Sequence, residues 1–555
     1  MFDAIVIGSG ISGGWAAKEL TERGLKVLVL ERGRHVTHGE DYVGEHKAPW
    51  DMPYHGLGDR QRNEAEYYVQ KQARAFEEGA DQFFVNDKDH PYQVAEGTNF
   101  SWIRGYHLGG RSLTWGRVAL RFGDVNFGEN KRDGHGSDWP IRYADLAPWY
   151  SHVEKFIGVS GTSNGFDTIP DGEMLPPFPL NCLEEHIATS LTKSGRAMIP
   201  ARSAVLSVDH NGRSACHMCG PCHRGCSTSS YFSSLGSTLP AAEATGRLTI
   251  MSDMIVAGLD HDPKTKRITA VRTINAKTGQ AQSFGAKLIF LNASTLGTTH
   301  ILLNSRSEAS PNGLANGSGM LGRNLMDHVM SPMIAGSFDG FTDMMPIGNR
   351  PTGIYIPRFR NMKERHPDFV RGYGYQGSAS RELWIRGASG PAMGAALKTE
   401  LRQAGPWRML LGGMGECLPY ESNRVVLDET KRDKWGLPQL KVHFEWGANE
   451  LAMARDMVSE ATAMLTEAGA RKVTVMGDLN PGGLAIHEMG TARMGNDPRA
   501  SVLNAHNQAH DVANLFVTDG ASMVSSACQN PSLTYMALTA RAAAYAVDQV
   551  KAGTI

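Results

Sequence analysis

The chain has 555 residues and a mass of 60.3 kDa, room for roughly three to four domain-sized units and for a core that needs no disulfide staples. Apolar residues make up 41% and charged residues 20%, which excludes a disordered chain. The net charge of −1 excludes the basic excess of a nucleic-acid binder and gives no reason for an anionic membrane surface as partner.

No run of 18 apolar residues occurs, so no transmembrane helix is predicted. The opening MFDAIVIGSG has no basic n-region and no cleavage site, which predicts a chain without an export signal of its own. Ala4 to Ile7 read as a buried parallel strand. Gly8-Ser9-Gly10-Ile11-Ser12-Gly13 follows, then a helical stretch closing at Gly24, then the apolar run Lys26 to Leu30 and Glu31. Strand, glycine turn, helix, strand and acid, with Glu31 18 positions after Gly13, predict a dinucleotide site. Gly8 permits the turn, Gly10 lets backbone approach a pyrophosphate, and Gly13 lets the helix pack on the sheet. The helix N-terminus offers N–H groups to phosphates. Glu31 can accept from both ribose hydroxyls, which disfavours a 2′-phosphate, and Arg32 beside it is counted with the cofactor site. So early a unit in so long a chain suits bound FAD at least as well as NAD.

Residues 41–94 read as an irregular excursion or lid with a helical patch near Glu64 to Phe76. Residues 97–122 are rich in glycine and aromatics. Cys216, Cys219, Cys222 and Cys226 follow the spacing C-x2-C-x2-C-x3-C, the ligand run of bacterial iron–sulfur proteins without the trailing proline, since Ser227 stands there. A [4Fe–4S] cluster is expected, or [3Fe–4S] if one cysteine points away. Zinc with His217 or His223 is the rival, and disulfides between such close residues are strained. Cys182, Cys417 and Cys528 read as buried small residues. Residues 248–291 alternate strand-like segments with turns such as Asp262-Pro263-Lys264. Residues 335–445 hold short aromatic-rich strands. There, Tyr373, Tyr375, Gln376 and Trp384 read as sheet packing, with stacking on a sugar face as the alternative. Residues 533–551 read as a helix ended by Gly553.

Five ordered segments resemble the glucose–methanol–choline (GMC) oxidoreductase family across nearly the whole chain. They are the glycine unit with Glu31; Gly109-Gly110-Arg111-Ser112-Leu113-Thr114-Trp115-Gly116; Asn292-Ala293-Ser294 through Leu303; Gly322 to His328; and the C-terminal set His487 to Gly495, Leu515 to Gly520 and Gln529 to Thr534. The resemblance implies an α/β plus antiparallel-sheet fold: a Rossmann-like FAD-binding domain from 1–40, 95–125, 230–335 and 485–555, interleaved with an antiparallel-sheet substrate domain from 126–209 and 336–484. Residues 210–229 form the Cys-rich loop.

It further implies alcohol oxidation, with a hydroxyl proton passing to a base and a hydride to flavin N5. His487 lies at the family's catalytic histidine, and its ordinary pKa near 6.5 leaves it ready to accept a proton. Asn530 lies at the second catalytic position; an amide cannot be the base but can hydrogen-bond the substrate oxygen. Gly109, Gly110, Ser112, Thr114 and Trp115 would lie beneath the flavin ring. Asp519 and Gly520 would contact the ribityl–pyrophosphate region, Asn530 and Pro531 the pyrimidine edge, and Val256 the adenine. Thr114 stands where some relatives link FAD through histidine, so FAD is expected to be non-covalent.

A cluster passes single electrons, which favours a dehydrogenase over an oxygen-using oxidase. The C-terminal motifs look most like the catalytic subunits of bacterial glucoside 3-dehydrogenases, which oxidise the C3 hydroxyl of glucose, glucosides and disaccharides. That subgroup implies a small subunit bearing the export signal, a cytochrome c subunit, and a periplasmic location if carried by such a partner, otherwise a cytoplasmic one. A gluconate or polyol dehydrogenase subunit is the alternative within the family. A non-catalytic flavin or iron–sulfur electron-transfer subunit is the alternative outside it; its mark would be loss of the histidine that is present at 487.

Overall fold

The computed structural model describes residues 2–346, 348–383, 386 and 391–555. Four-residue runs of apolar side chains buried on both faces make the three central strands of a parallel sheet. Its order is Leu515–Val517, Leu288–Leu291, Ala4–Ile7, Val27–Leu30 and Leu248–Met251, with Ile5 facing Leu28 on one side and Ile289 on the other. The helix Ile11–Glu22 packs on this sheet and against the C-terminal helix Ser532–Lys551. The first and last parts of the chain therefore share one layer.

The 248–291 region divides between two sheets. Its outer strands, Leu248–Met251 and Leu288–Leu291, enter the parallel sheet, while Met254–Asp262, Arg267–Asn275 and Ala281–Phe284 form an antiparallel one. At the turn the Lys264 N–H donates to Asp262 Oδ1 at 2.9 Å.

A larger antiparallel sheet runs in the order Lys472–Met476, Met333–Phe338, Trp407–Gly415, Tyr373–Arg381, Ile354–Ile356 and Ile199–Pro200, with Val329–Met330 also paired to Trp407–Gly415. The helix Ala448–Glu467 lies on one face, presenting Met453, Met457, Ala461 and Met464 at helical spacing. A Cβ at Gly413 or Gly415 would come within 2.6 Å of Met457, so glycines in the strand admit the thioethers. Tyr373 and Tyr375 share this face. The Tyr375 hydroxyl donates to Met457 O at 2.7 Å, and the Tyr373 hydroxyl bonds Asp456. Both serve packing, as expected, whereas Gln376 faces the opposite side; Trp384 lies outside the described residues.

The helical patch expected near Glu64 to Phe76 is shorter and earlier, Arg60–Glu66, capped by Asp59, whose carboxylate accepts from Arg62 N–H at 3.0 Å. The buried Asp87 carboxylate accepts from the N–H groups of Val69 and Gln70 at 2.8 and 3.2 Å and draws the chain out of the helix. Among the described residues no helix is long and apolar enough to cross a membrane.

Candidate active site

One long cavity opens over the C-terminal ends of the parallel strands. It is lined by Gly8, Gly10, Glu31, Arg32, Gly110, Ser112, Thr114, Trp115, Val256, His487, Asp519, Gly520 and Asn530. Residues from eight to 530 thus meet around one space. Gly13, Gly109 and Pro531 stand just behind it. A Cβ at Gly13 would sit 1.9 Å from Gly8 O, so helix and first turn touch there, and Pro531 caps the helix whose Ser532 does line the cavity.

The glycine turn is built for a ligand. Gly8 has φ +95°, and a Cβ there would strike Asn292 O at 2.4 Å. Gly10 has no protein atom within 4 Å of its missing Cβ, although it lines the cavity and caps a helix with no acidic residue in its first turn. Glu31 accepts from Ser9 Oγ at 2.6 Å, Ser9 N–H at 3.1 Å and Gly33 N–H at 2.9 Å, and burial raises its pKa. Ser9 Oγ also accepts from Gly109 N–H at 2.9 Å, and Ser234 Oγ donates to Ser9 O at 2.8 Å. Ser112 Oγ donates to Gly109 O at 2.6 Å. These contacts staple the Gly109 loop to the first turn.

Two buried polar atoms on the cavity wall, Asn292 Oδ1 and Tyr535 OH, have no protein partner. An unpaired buried polar atom costs about 1–3 kcal/mol, so the wall is complete only with a polar ligand. The fit to FAD is good: a bare helix N-terminus for phosphates, a carboxylate for the ribose, the strand of Val256 beside them, and unpartnered donors and acceptors beyond.

His487, partly buried, lines the same cavity, with Asp327 holding its loop. Asp327 accepts from the N–H groups of Gly483 (2.7 Å), Ala485 (3.2 Å) and His487 (3.0 Å). Burial and then Glu488 push the Asp327 carboxyl up to about 7. These bonds bracket Ile486, whose φ of +63° is strained for a β-branched side chain. Glu488 forks onto Arg111, with Nη1 and Nη2 donating at 3.2 and 3.0 Å. Gly490 N–H donates to Gly520 O at 2.9 Å, joining this loop to Asp519. Burial raises the Asp519 carboxyl to about 6.

His487 Nδ1 lies 2.8 Å from His328 Nδ1. Burial, then His328, then Arg111 hold its proton affinity well below the usual histidine range. Asn530 Oδ1 accepts from Gln376 Nε2 at 2.7 Å, so the amide presents its NH2 elsewhere. The sequence gives no site role to His328, Asp327, Arg111 or Glu488, and reads Gln376 only as sheet packing or, alternatively, sugar stacking, not as a partner of Asn530. Four of them sit inside matched motifs, but their partners lie up to 377 residues away, and no local pattern records that.

The four-cysteine loop abuts this site. Burial raises the Cys222 thiol pKa, opposed by the charge of Arg117, which lines the cavity. Burial also raises Cys216 and Cys219, and all three thiols feel Cys226. All seven cysteines are unpaired. Cys417 and Cys528 are buried as expected, Cys182 only partly. Among the described residues no group of three or more His, Cys, Asp or Glu side chains is arranged to hold a metal ion. The expected cluster on Cys216, Cys219, Cys222 and Cys226 therefore has donors of the right kind but no ready cage. Cys219 is exposed, whereas Cys216, Cys222 and Cys226 pack against the Phe178, Val205 and Tyr231 cluster.

Comparison with known proteins agrees with this architecture. Family models of the N- and C-terminal parts of GMC oxidoreductases match residues 2–330 and 419–539. The chain belongs to the GMC oxidoreductases. It is 30% identical to 2-methyl-1,2-propanediol dehydrogenase of Mycolicibacterium austroafricanum, covering 98% of this chain and 94% of that one. It is 25% identical to the fructose dehydrogenase large subunit of Gluconobacter japonicus, covering 99% and 98%. The crystal structure of pyridoxine 4-oxidase from Mesorbium loti matches with a TM-score of 0.62 at 18% identity, covering 98% of each chain. This GMC oxidoreductase is an FAD-dependent enzyme of the alcohol-dehydrogenase type.

Proposed function

We propose that the enzyme oxidises a secondary hydroxyl of a sugar, the C3 hydroxyl of glucose, glucosides or disaccharides, to the keto sugar. The observation that carries the chemistry is that His487 and Asn530 line the same cavity as the glycine turn. Bound there, FAD supplies the acceptor for the hydride. His487 takes the hydroxyl proton; its suppressed proton affinity keeps it neutral before reaction. Asn530, its oxygen occupied by Gln376, offers N–H to the substrate oxygen. Asp327 and the Arg111–Glu488 pair fix the His487 loop so that the imidazole is in place before substrate arrives.

The sugar assignment rests on the C-terminal motifs and on the likeness to a fructose dehydrogenase large subunit. A gluconate or polyol substrate is the second reading, supported by the diol dehydrogenase among the relatives. Dye-linked turnover on glucose, glucosides, gluconate and sorbitol, with the oxidised carbon located in the product by NMR, decides between them: 3-keto products are expected, and oxidation of gluconate or sorbitol alone would contradict the assignment.

The four thiols would hold an iron–sulfur cluster, which would supply a one-electron outlet. A small signal-bearing subunit and a cytochrome c subunit are the partners proposed, with a periplasmic location through that carrier. Iron and acid-labile sulfide assays on purified protein should find about three or four iron atoms and about four sulfides per chain. Cys219→Ser should leave flavin reduction in a single turnover unchanged and slow electron exit to cytochrome c; zinc without sulfide, or unchanged cytochrome-linked turnover, would end that part. With Thr114 in the loop beneath the ring, acid precipitation should release all FAD into solution, and yellow colour kept in the pellet would show a covalent link.

A further inference from the structure

His487 and His328 face each other through like atoms, Nδ1 to Nδ1 at 2.8 Å, with the rings nearly perpendicular at 87°. Two lone pairs at that distance repel, so one nitrogen carries the hydrogen. The far side of His328 decides which. Its Nε2 lies 2.9 Å from Ala527 O and 3.2 Å from Ser526 O, and carbonyls only accept. Nε2 of His328 must therefore be the N–H. His328 is 1% exposed, and burial pushes its pKa down to about 4, so it carries no second proton at neutral pH. Its Nδ1 is then a bare acceptor, and the hydrogen in the contact belongs to His487 Nδ1. A neutral His487 protonated there has its lone pair on Nε2, the ring nitrogen that makes no hydrogen bond among the described residues.

We propose that His328 is a positioning residue that selects the Nδ1–H tautomer of His487 and so places the basic lone pair on Nε2. This deepens the reading of His487 as the base and rests on it. When the substrate hydroxyl gives its proton to Nε2, the bond to Nδ1 does not change. The resulting cation keeps its Nδ1–H aimed at the His328 lone pair, and the hydrogen bond becomes charge-assisted as charge arrives. That matters because the other groups facing His487 give it little relief. Arg111 opposes a cation, the Glu488 carboxylate is engaged by Arg111, and the Asp327 oxygens are committed to backbone N–H groups. Behind His328 the carbonyls of Ser526 and Ala527 receive its N–H, and Ala527 holds φ +52° while doing so. The carbonyls that fix the tautomer lie three and four residues before Asn530, so one segment supplies both the amide and the anchor.

The test is made on holoenzyme containing 15N-labelled histidine. In wild type, His487 Nδ1 should be protonated and Nε2 bare, with a scalar coupling across the Nδ1–H···Nδ1 hydrogen bond. A protonated Nε2 on resting His487 would overturn the proposal. His328→Ala should abolish the coupling and mix the tautomers. It should also lower kcat by about 10- to 100-fold, the range seen when a partner orienting a metal-bound histidine is lost, with KM within about twofold. His328→Asn keeps an acceptor at the Nδ1 position and should recover most of the lost kcat; a His328→Ala enzyme with wild-type kcat would contradict the role. The tautomer is read on wild-type protein without turnover, so its failure is distinct from failure of His487 as the base, which His487→Ala reports.

Discussion

Replacing His487 with alanine is expected to lower kcat by at least about 10²-fold while FAD remains bound, the loss typical of removing a general base. The side chain lines the same cavity as Asn530, and no other histidine on the described wall is placed to substitute: His300 Nε2 is held by Pro438 O at 2.6 Å. Its pH profile should be distinctive. The folded enzyme lowers the His487 pKa through burial, His328 and Arg111, so the neutral base persists where a solvated histidine would already be charged. Turnover should therefore stay level as pH falls through about 6.5 and decline only well below it. A decline centred on about 6.5 would place the essential base in a water-exposed site. Near-wild-type turnover in the alanine variant would remove His487 from the role.

The second large effect is on the cofactor. Gly10→Val should raise the FAD dissociation constant by at least about 100-fold, or about 2.7 kcal/mol, and leave the apoprotein folded. The argument is the empty space at this residue: its φ of −67° suits any L-residue, and an added Cβ meets no protein atom within 4 Å. The branched side chain would fill the room by the helix N-terminus, where the pyrophosphate of bound FAD would lie. Titration of apoprotein with FAD by fluorescence quenching, with thermal unfolding of the apoprotein alongside, measures both halves. The neighbouring Gly13 is the contrast. A Cβ there would lie 1.9 Å from Gly8 O, so a substitution at 13 should cost the fold itself. Equal FAD affinity in Gly10→Val would move the phosphates away from the first turn.

What was legible in the sequence was local or carried by ordered motifs. The strand, glycine turn, helix, strand and acid over 4–31 appear as read, because buried apolar runs and glycines without Cβ admit one arrangement there. His487 and Asn530 came from motif resemblance, and the fold brings them to the same cavity. The pairings behind them were not legible. His328 contacts a residue 159 positions away, Gln376 one 154 away, and Arg111 one 377 away. Such contacts follow from how the parallel and antiparallel sheets meet, which periodicity does not encode. The 248–291 region shows the same limit. Its segments all read as strands, yet two join the parallel sheet and the three strands between them form another. The cysteine loop shows the reverse case, since a spacing that reads as a ligand set leaves one of its four thiols facing solvent.

The most direct measurement of the central claim is anaerobic mixing of the holoenzyme with glucose, a glucoside and a disaccharide, followed at the oxidised-flavin absorption band. Rapid bleaching in wild type is expected. A primary deuterium effect on the bleaching rate is expected when the sugar is labelled at C3. Bleaching of His487→Ala should be at least about 10²-fold slower. Equal bleaching rates in the two proteins, or flavin that no alcohol reduces, would contradict it.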